Sequence, residues 1–196
     1  MYQRDRKSYR ISILGILSAI ILVQNFVPLL GYIPIPPLNP TIIHITVIIA
    51  ALTLGTKDGM IIGGVWGFSR LIKAFVAPAS PLDLLLFTNP IISIVPRILV
   101  GFVAGYVFHL LKKRKGKESI AMIISSILAS LTNTILVLFF IYIFYKDDYA
   151  TALNVDVSSL AKALGAIVLT NGVAEAIAAG IIAPIVARPL KRFKTN

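Results

Sequence analysis

The chain has 196 residues, of which 57% are hydrophobic and 14% are charged, and its net charge is +11. Soluble domains have about 25% charged residues, so this composition excludes an ordinary soluble domain. The positive charge lies in short flanks between long apolar stretches rather than on one basic face. That distribution argues against nucleic acid as a partner and favours contact with anionic membrane lipid. Cysteine is absent, which excludes a disulfide framework and a thiolate metal site.

Six apolar stretches follow one another along the chain, each close to the roughly 20 residues that a membrane-spanning helix needs. The predicted spans are residues 11–27, 38–54, 60–76, 91–111, 119–145 and 160–187. Because proline cannot continue a helix interior, two proline-rich stretches are predicted to be irregular loops. The first contains Pro28, Pro34, Pro36, Pro37 and Pro40, and the second contains Pro78, Pro81 and Pro90. We therefore predict an all-α bundle of six transmembrane helices that forms a single domain over residues 1–196.

The distribution of lysine and arginine predicts the orientation of these spans. Most of the 19 basic residues lie before the first span, at Lys57, in the run 112–117 and at 188–194. An even number of spans places these segments on one side, and the positive-inside rule makes that side cytoplasmic. Both termini are thus predicted to be cytoplasmic, in a multi-pass protein of a bacterial cell membrane. No small-residue cleavage site follows the first apolar segment, so we interpret it as a retained span.

Three cations lie within or beside the predicted spans: Arg70, Lys73 and Arg97. The predicted orientation puts all three in the outer half of the membrane. A charge at membrane depth costs about 3 kcal/mol or more and usually faces a cavity or a partner, although long side chains also snorkel to the headgroups. Glu175 is the one carboxylate well inside a predicted span. We interpret the three cations as lining a cavity for an anionic ligand.

Four further residues are candidates for the same site. Asn133 and Asn171 are amides within the fifth and sixth predicted spans, where they either bind a ligand or form interhelical hydrogen bonds. His44, near the outer start of the second span, is either structural or part of the site. Trp66 in the third span either faces lipid or forms a wall of the pocket.

The sequence contains no motif that indicates catalysis. There is no P-loop, no candidate catalytic triad and no cluster of metal-ligating residues. We predict that the chain is not an enzyme and holds no metal or cofactor. A carrier or a ligand-binding membrane subunit fits better, and the lack of an energy source in the sequence indicates a partner that supplies energy.

Small residues at four-residue spacing predict close helix contacts in three spans, because they let two backbones approach each other. They are Ser12, Gly15 and Ala19 in the first span, Gly63, Gly64 and Gly67 in the third, and Gly101 and Gly105 in the fourth. For the third and fourth spans we predict packing inside the bundle.

Nearly the whole chain resembles the substrate-binding S components of energy-coupling factor (ECF) vitamin transporters. Besides length and span number, the similarity is carried by HITVIIAALTLGTKDG at 44–59, GGVWGFS at 63–69 and PRILVG at 96–101. The resemblance implies a six-helix bundle with a vitamin pocket near the outer face, capped by the first proline-rich loop. It also implies a transmembrane coupling protein that packs on the first helix through an Ala-xxx-Ala motif, which here is Gly15-xxx-Ala19. Two separate ATPases would drive reorientation of the subunit in the membrane.

The resemblance points to the pantothenate-type subgroup. Pantothenate has one carboxylate, which Arg70 or Arg97 would hold through paired hydrogen bonds, while Asn133 and Asn171 would bind its hydroxyl and amide groups. Similar subunits carry hydroxymethylpyrimidine or pyridoxine, which are neutral or nearly so, and the sequence leaves these ligands open. It also leaves open a stand-alone secondary carrier for a small organic anion and a structural or assembly protein of the membrane.

Overall fold

The computed structural model describes residues 2–27, 29–32, 40–112 and 118–195, and over these residues the fold is helical. The helices are α1 (Tyr2–Phe26), α2 (Ile43–Leu54), α3 (Thr56–Val76), α4 (Pro81–Phe87), α5 (Pro90–Leu111), α6 (Glu118–Ala152), α7 (Val157–Ile167) and α8 (Val173–Thr195). A π-helical turn, Val168–Gly172, joins α7 to α8. The predicted all-α class is confirmed.

Four helical segments among the described residues are long and apolar enough to cross a membrane. They are α3, α5, α6 and the continuous helical run Val157–Lys191. The helical segments Arg10–Phe26 and Ile43–Leu54 are apolar but shorter, and they coincide with the first two predicted spans. The second span was predicted to begin at 38, whereas α2 begins at Ile43. Residues 28 and 33–39 of the first proline-rich loop, and 113–117 of the basic run, lie outside the described residues.

The second proline-rich stretch is not wholly a loop, so that prediction was wrong in part. Ser80 caps α4, because its hydroxyl accepts a hydrogen bond from the Asp83 backbone N–H at 3.1 Å. Pro81 and Pro90 stand in the first turns of α4 and α5 respectively, where a missing N–H has no consequence. The short helix α4 therefore lies between α3 and α5, and it brings side chains to the end of the bundle.

Helices α3 and α5 pack with their backbones in contact, which confirms the predicted packing inside the bundle. A Cβ atom at Gly63 would lie 2.1 Å from the Arg97 carbonyl oxygen, and one at Gly101 would lie 2.2 Å from the Gly59 carbonyl oxygen. No side chain fits at such distances, so glycine is required at both positions. The antiparallel packing continues to Gly67, where a Cβ atom would lie 2.7 Å from Ile94 Cα, so the second half of α3 lies beside the first half of α5.

Helix α2 is the centre of the bundle. Its residues are apolar on nearly every face, which is typical of a helix surrounded by others, and all residues from 43 to 52 are buried. Helix α1 instead covers one side of the bundle. It buries Leu17 and Ile21, while an ion pair from Arg10 to the buried Asp58 fastens it to the start of α3.

Candidate ligand-binding site

Buried polar side chains gather at one end of the bundle, where α1 ends, α2 begins and α4 lies. This is the end that the charge pattern predicts to face outward. We call this set the polar cluster, and its buried members are Asn25, His44, Arg70, Asp83, Arg97 and Asn133. Buried polar groups are costly unless they have partners, so the partners of each member define what the cluster can bind.

Arg70 has a buried counter-ion that the sequence analysis did not assign. Its guanidinium pairs with both oxygens of Asp83, one of them at 3.2 Å, and the two side chains are 6% and 9% exposed. The guanidinium also lies 4.1 Å from the centre of the Phe87 ring. The proline-rich segment around Asp83 predicts a loop, so the sequence does not reveal this partner. The Ser80-Pro-Leu-Asp83 pattern, which begins like a helix capping box, was the available signal.

Arg97 is a buried cation with no carboxylate at ion-pair distance among the described residues. One of its terminal nitrogens donates to the Ile92 carbonyl oxygen. That oxygen is available because Pro96, four residues further along α5, has no N–H to bond it. The guanidinium carbon lies 5.0 Å from the ring centre of Trp66 and 5.3 Å from that of Phe87. An uncompensated guanidinium in this setting favours an anionic ligand.

Lys73 connects helices rather than standing free. Its ammonium group donates to the Asn25 backbone oxygen at 2.6 Å, near the C-terminus of α1, where a cation is favoured. The same ammonium lies 4.8 Å from the Tyr32 ring centre. The Tyr32 hydroxyl donates to Asn25 Oδ1 at 3.0 Å, and burial raises the pKa of that hydroxyl, so it stays protonated. Lys73 and Tyr32 together tie the first loop to α1 and α3.

The opposite side of the polar cluster is formed by α2, α6 and α8. His44 Nε2 lies 3.1 Å from Ser130 Oγ on α6. One Glu175 oxygen accepts from the Thr41 backbone N–H at 2.6 Å, and the other accepts from Thr134 Oγ1 at 3.1 Å. The structure thus joins the end of the first loop to α6 and α8 around these residues.

The remaining amide candidates lie on α6 and in the π-helical turn. Asn133 lies on α6 within one turn of Ser130 and beside Thr134, and its side chain is buried. Asn171 is in the π-helical turn, four residues before Glu175, and is partly buried. A π-helical turn inside a helix frequently marks a functional site.

Five buried side-chain atoms of the described residues have no hydrogen-bond partner. They are Asn25 Nδ2, His44 Nδ1, Trp66 Nε1, Arg97 Nε and Asn133 Oδ1. An unsatisfied buried polar group costs about 1–3 kcal/mol, so native proteins contain few of them. Four of the five residues were candidates from the sequence, and Asn25 was not. The five atoms include hydrogen-bond donors and an acceptor. A small polar ligand that carries donor and acceptor groups would suit this set.

Trp66 is fully buried against Arg97, so the alternative that it faces lipid is wrong. The predicted contact residues of the first helix are, in contrast, open. Ser12, Gly15 and Ala19 are exposed, and a Cβ atom at Gly15 would meet nothing within 4 Å. A groove of about 490 Å³ beside Ala19 is lined by Gln24 and by apolar residues of α1 and the first loop.

The apolar helices are typical of a multi-pass membrane protein, and the buried polar cluster is a candidate ligand site at one end of its bundle. The chain belongs to the family of ECF transporter substrate-specific components, whose family model matches residues 9–187. It is 39% identical over 137 residues, 67% of each chain, to the pantothenate transporter PanT of Leuconostoc mesenteroides subsp. mesenteroides. It is 30% identical to the pantothenic acid transporter PanT of Lactococcus lactis subsp. cremoris, over 98% of this chain and 99% of that one.

These similarities confirm the predicted resemblance to pantothenate-type S components. The chain is a vitamin-binding transporter subunit of the bacterial cell membrane and not an enzyme.

Proposed function

We propose that this chain captures pantothenate at the outer face of the membrane for an ATP-driven ECF importer. Delivery then proceeds by reorientation of the chain together with a coupling protein and two ATPases. The observation that carries the choice of ligand is Arg97, a buried guanidinium with an unpartnered Nε and no counter-ion at ion-pair distance in the described chain. The names of the two PanT relatives support the same ligand.

Within this proposal, Arg97 rather than Arg70 holds the pantothenate carboxylate. Arg70 already shares two hydrogen bonds with Asp83, whereas Arg97 bonds a single carbonyl. A carboxylate matches the fork of Arg97 Nε and a terminal nitrogen, and Trp66 Nε1 lies on a ring next to that guanidinium. Hydroxymethylpyrimidine or pyridoxine would leave the buried cation unpaired, so these ligands fit less well.

The hydroxyl and amide groups of pantothenate would bind on the α2 and α6 side of the site. Asn133 Oδ1 accepts a hydroxyl proton, and His44 Nδ1 accepts or donates according to its tautomer. We assign Asn171, which lies in the π-helical turn four residues before Glu175, to the same side of the site. Lys73 acts at the rim, where it holds Asn25 and Tyr32.

The proposed topology has six spans and cytoplasmic termini. It adds the two shorter apolar helices, Arg10–Phe26 and Ile43–Leu54, to the four long segments. The polar cluster then faces outward, and the exposed side of α1 faces a partner within the membrane. Ser12, Gly15 and Ala19 would contact the coupling protein there, because small residues let a second helix approach closely.

Binding of ligand by the purified chain tests this proposal. Isothermal titration in detergent is expected to give tight binding of pantothenate, with pyridoxine and hydroxymethylpyrimidine at least about 100-fold weaker, since each unpaired buried charge costs about 3 kcal/mol or more. Tight binding of a neutral vitamin would agree with a vitamin-binding subunit but would refute pantothenate as its ligand. Pantothenate transport by the chain alone in liposomes, without ATP or partners, would instead support a stand-alone carrier.

Bulky residues on the exposed face of α1 are expected to abolish uptake while leaving binding intact. In the double variant Gly15→Leu/Ala19→Leu, the new side chains project outward, so the bundle is undisturbed but a partner helix is held away. Pantothenate uptake by cells should fall at least about tenfold, while the dissociation constant in titration stays within about threefold.

Gly165→Leu is the matched control for that variant. Gly165 is also exposed, and a Cβ atom there also meets nothing within 4 Å, but it lies on α7 away from α1. Uptake by this variant should equal that of the wild type. Equal loss of uptake at both sites, or loss of binding in the α1 variant, would refute the proposed coupling face.

Asn133→Leu is expected to weaken pantothenate binding about 10- to 100-fold, because it removes the buried acceptor proposed for a ligand hydroxyl while it keeps the branched shape of the side chain. Panthenol is the alcohol in which a hydroxymethyl group replaces the carboxylate of pantothenate. The affinity for panthenol should fall by the same factor. Titration of both ligands checks this. Unchanged affinities would mean that Asn133 serves packing between helices only.

A further inference from the structure

The charges around the polar cluster nearly balance. Three cations, Arg70, Lys73 and Arg97, stand against two carboxylates, Asp83 and Glu175, and both Glu175 oxygens accept hydrogen bonds as a carboxylate does. Arg70, Asp83 and Glu175 are all close enough to act electrostatically on Arg97. With Glu175 as a carboxylate, one net positive charge remains among these five residues, and one negative charge on a ligand would match it.

Hydrogen bonds hold the Asp83 carboxylate against the Arg70 guanidinium. Besides the guanidinium, its carboxylate accepts from the Ala79 backbone N–H at 3.1 Å. Its own backbone N–H donates to the Ser80 cap. The residue is thus fixed at both its backbone and its side chain in the first turn of α4, and its carboxylate is turned toward Arg70 rather than Arg97.

Arg70 is near enough to the proposed carboxylate position to matter if its counter-ion were lost. Its guanidinium carbon lies 4.1 Å from the Phe87 ring centre, and that of Arg97 lies 5.3 Å from the same centre. The two guanidinium groups are therefore separated by less than about 10 Å, which is close to the screening length of physiological salt. Buried charges are screened less than exposed ones, so an unpaired Arg70 would act on a ligand at Arg97.

We propose that Asp83 determines the charge specificity of the site. By neutralising Arg70 it leaves Arg97 as the cation that selects the ligand, and it matches the site to a singly charged carboxylate. This inference rests on the proposed function and deepens it. It assigns Asp83 a positioning and charge-setting role without contact to the ligand.

The test is the ratio of affinities for pantothenate and for neutral panthenol, measured by titration on purified full-length variants. Wild type is expected to prefer pantothenate. Asp83→Asn adds one net positive charge and should raise the ratio at least about tenfold. The double variant Arg70→Gln/Asp83→Asn has the net charge of the wild type, so its ratio should stay within about threefold of the wild-type ratio.

The outcomes separate this inference from the proposal beneath it. Failure of wild type to bind pantothenate, or equal binding of panthenol, would refute the proposed ligand site. With a wild-type preference established, an unchanged or lower ratio in Asp83→Asn would overturn the role of Asp83. If the unpaired arginine prevents Asp83→Asn from folding, the double variant decides. A ratio that collapses in the double variant would show that Arg70 binds the carboxylate, and a retained ratio supports the proposal.

Discussion

Arg97→Gln is expected to lower the affinity for pantothenate about 100-fold or more, in a titration of the purified protein. Loss of one partner from a buried, hydrogen-bonded charge pair costs about 2–5 kcal/mol, and 1.4 kcal/mol is a factor of ten in affinity. Glutamine retains an amide donor for the Ile92 carbonyl oxygen, so α5 should keep its local structure. The effect therefore reports the charge rather than the fold.

Panthenol supplies the control for the Arg97 prediction, because it has no carboxylate to lose a partner. Its affinity should change by no more than about threefold in Arg97→Gln. Arg97→Lys should recover part of the lost pantothenate affinity, since lysine keeps the charge but not the two-pronged geometry. An equal fall in affinity for both ligands would mean that Arg97 maintains the shape of the pocket. The assignment of Arg97 to the carboxylate would then be wrong.

Gly63→Ala and Gly101→Ala are each expected to lower stability by about 3 kcal/mol, since overpacking a close contact typically costs 1–3 kcal/mol or more. The new methyl groups would meet backbone oxygens at 2.1 and 2.2 Å, and backbone cannot move aside as a side-chain tip can. Thermal unfolding of the detergent-solubilised protein should show midpoints about 10 °C below that of the wild type. Because this packing places Arg97 beside Trp66, pantothenate binding should fall as well.

Gly64→Ala is the matched control within the same helix. A Cβ atom at Gly64 has its nearest neighbour, an Ile98 side-chain carbon, at 3.9 Å, which is an ordinary contact. Alanine also has a higher helix propensity than glycine, so the unfolding midpoint should stay the same or rise slightly. An equal decrease for Gly64→Ala and Gly63→Ala would contradict the close α3–α5 packing.

Much of the candidate site could be predicted from the sequence because charge inside an apolar stretch is conspicuous. Arg70 and Arg97 stand out in their spans, and a cation at membrane depth requires a cavity or a partner. His44, Trp66 and Asn133 were candidates on similar grounds, and each contributes an unpartnered buried atom. Asn25 was not a candidate, since an asparagine that precedes a proline-rich stretch is ordinary in a loop.

Other parts of the site depended on residues far apart in the chain. The pairing of Arg70 with Asp83 requires α4 to fold back against α3. Helix α4 lies in a proline-rich stretch, which predicts a loop. Lys73 was interpreted as a cation facing the cavity, but its nearest acceptor is a backbone oxygen at the end of α1. Neither contact has a local sequence period that would reveal it.

The sequence by itself determined that this is an all-helical, multi-pass membrane protein and an ECF substrate-specific component. Those conclusions rest on apolar length, on charge in the flanks and on motifs, all of which are local properties of the chain. Only the tertiary structure decided which cations have counter-ions and whether Trp66 faces lipid or protein. The reason is physical, because burial and ion pairing depend on which helices pack together. That packing is set by contacts between residues far apart in the sequence, such as Gly63 against Arg97.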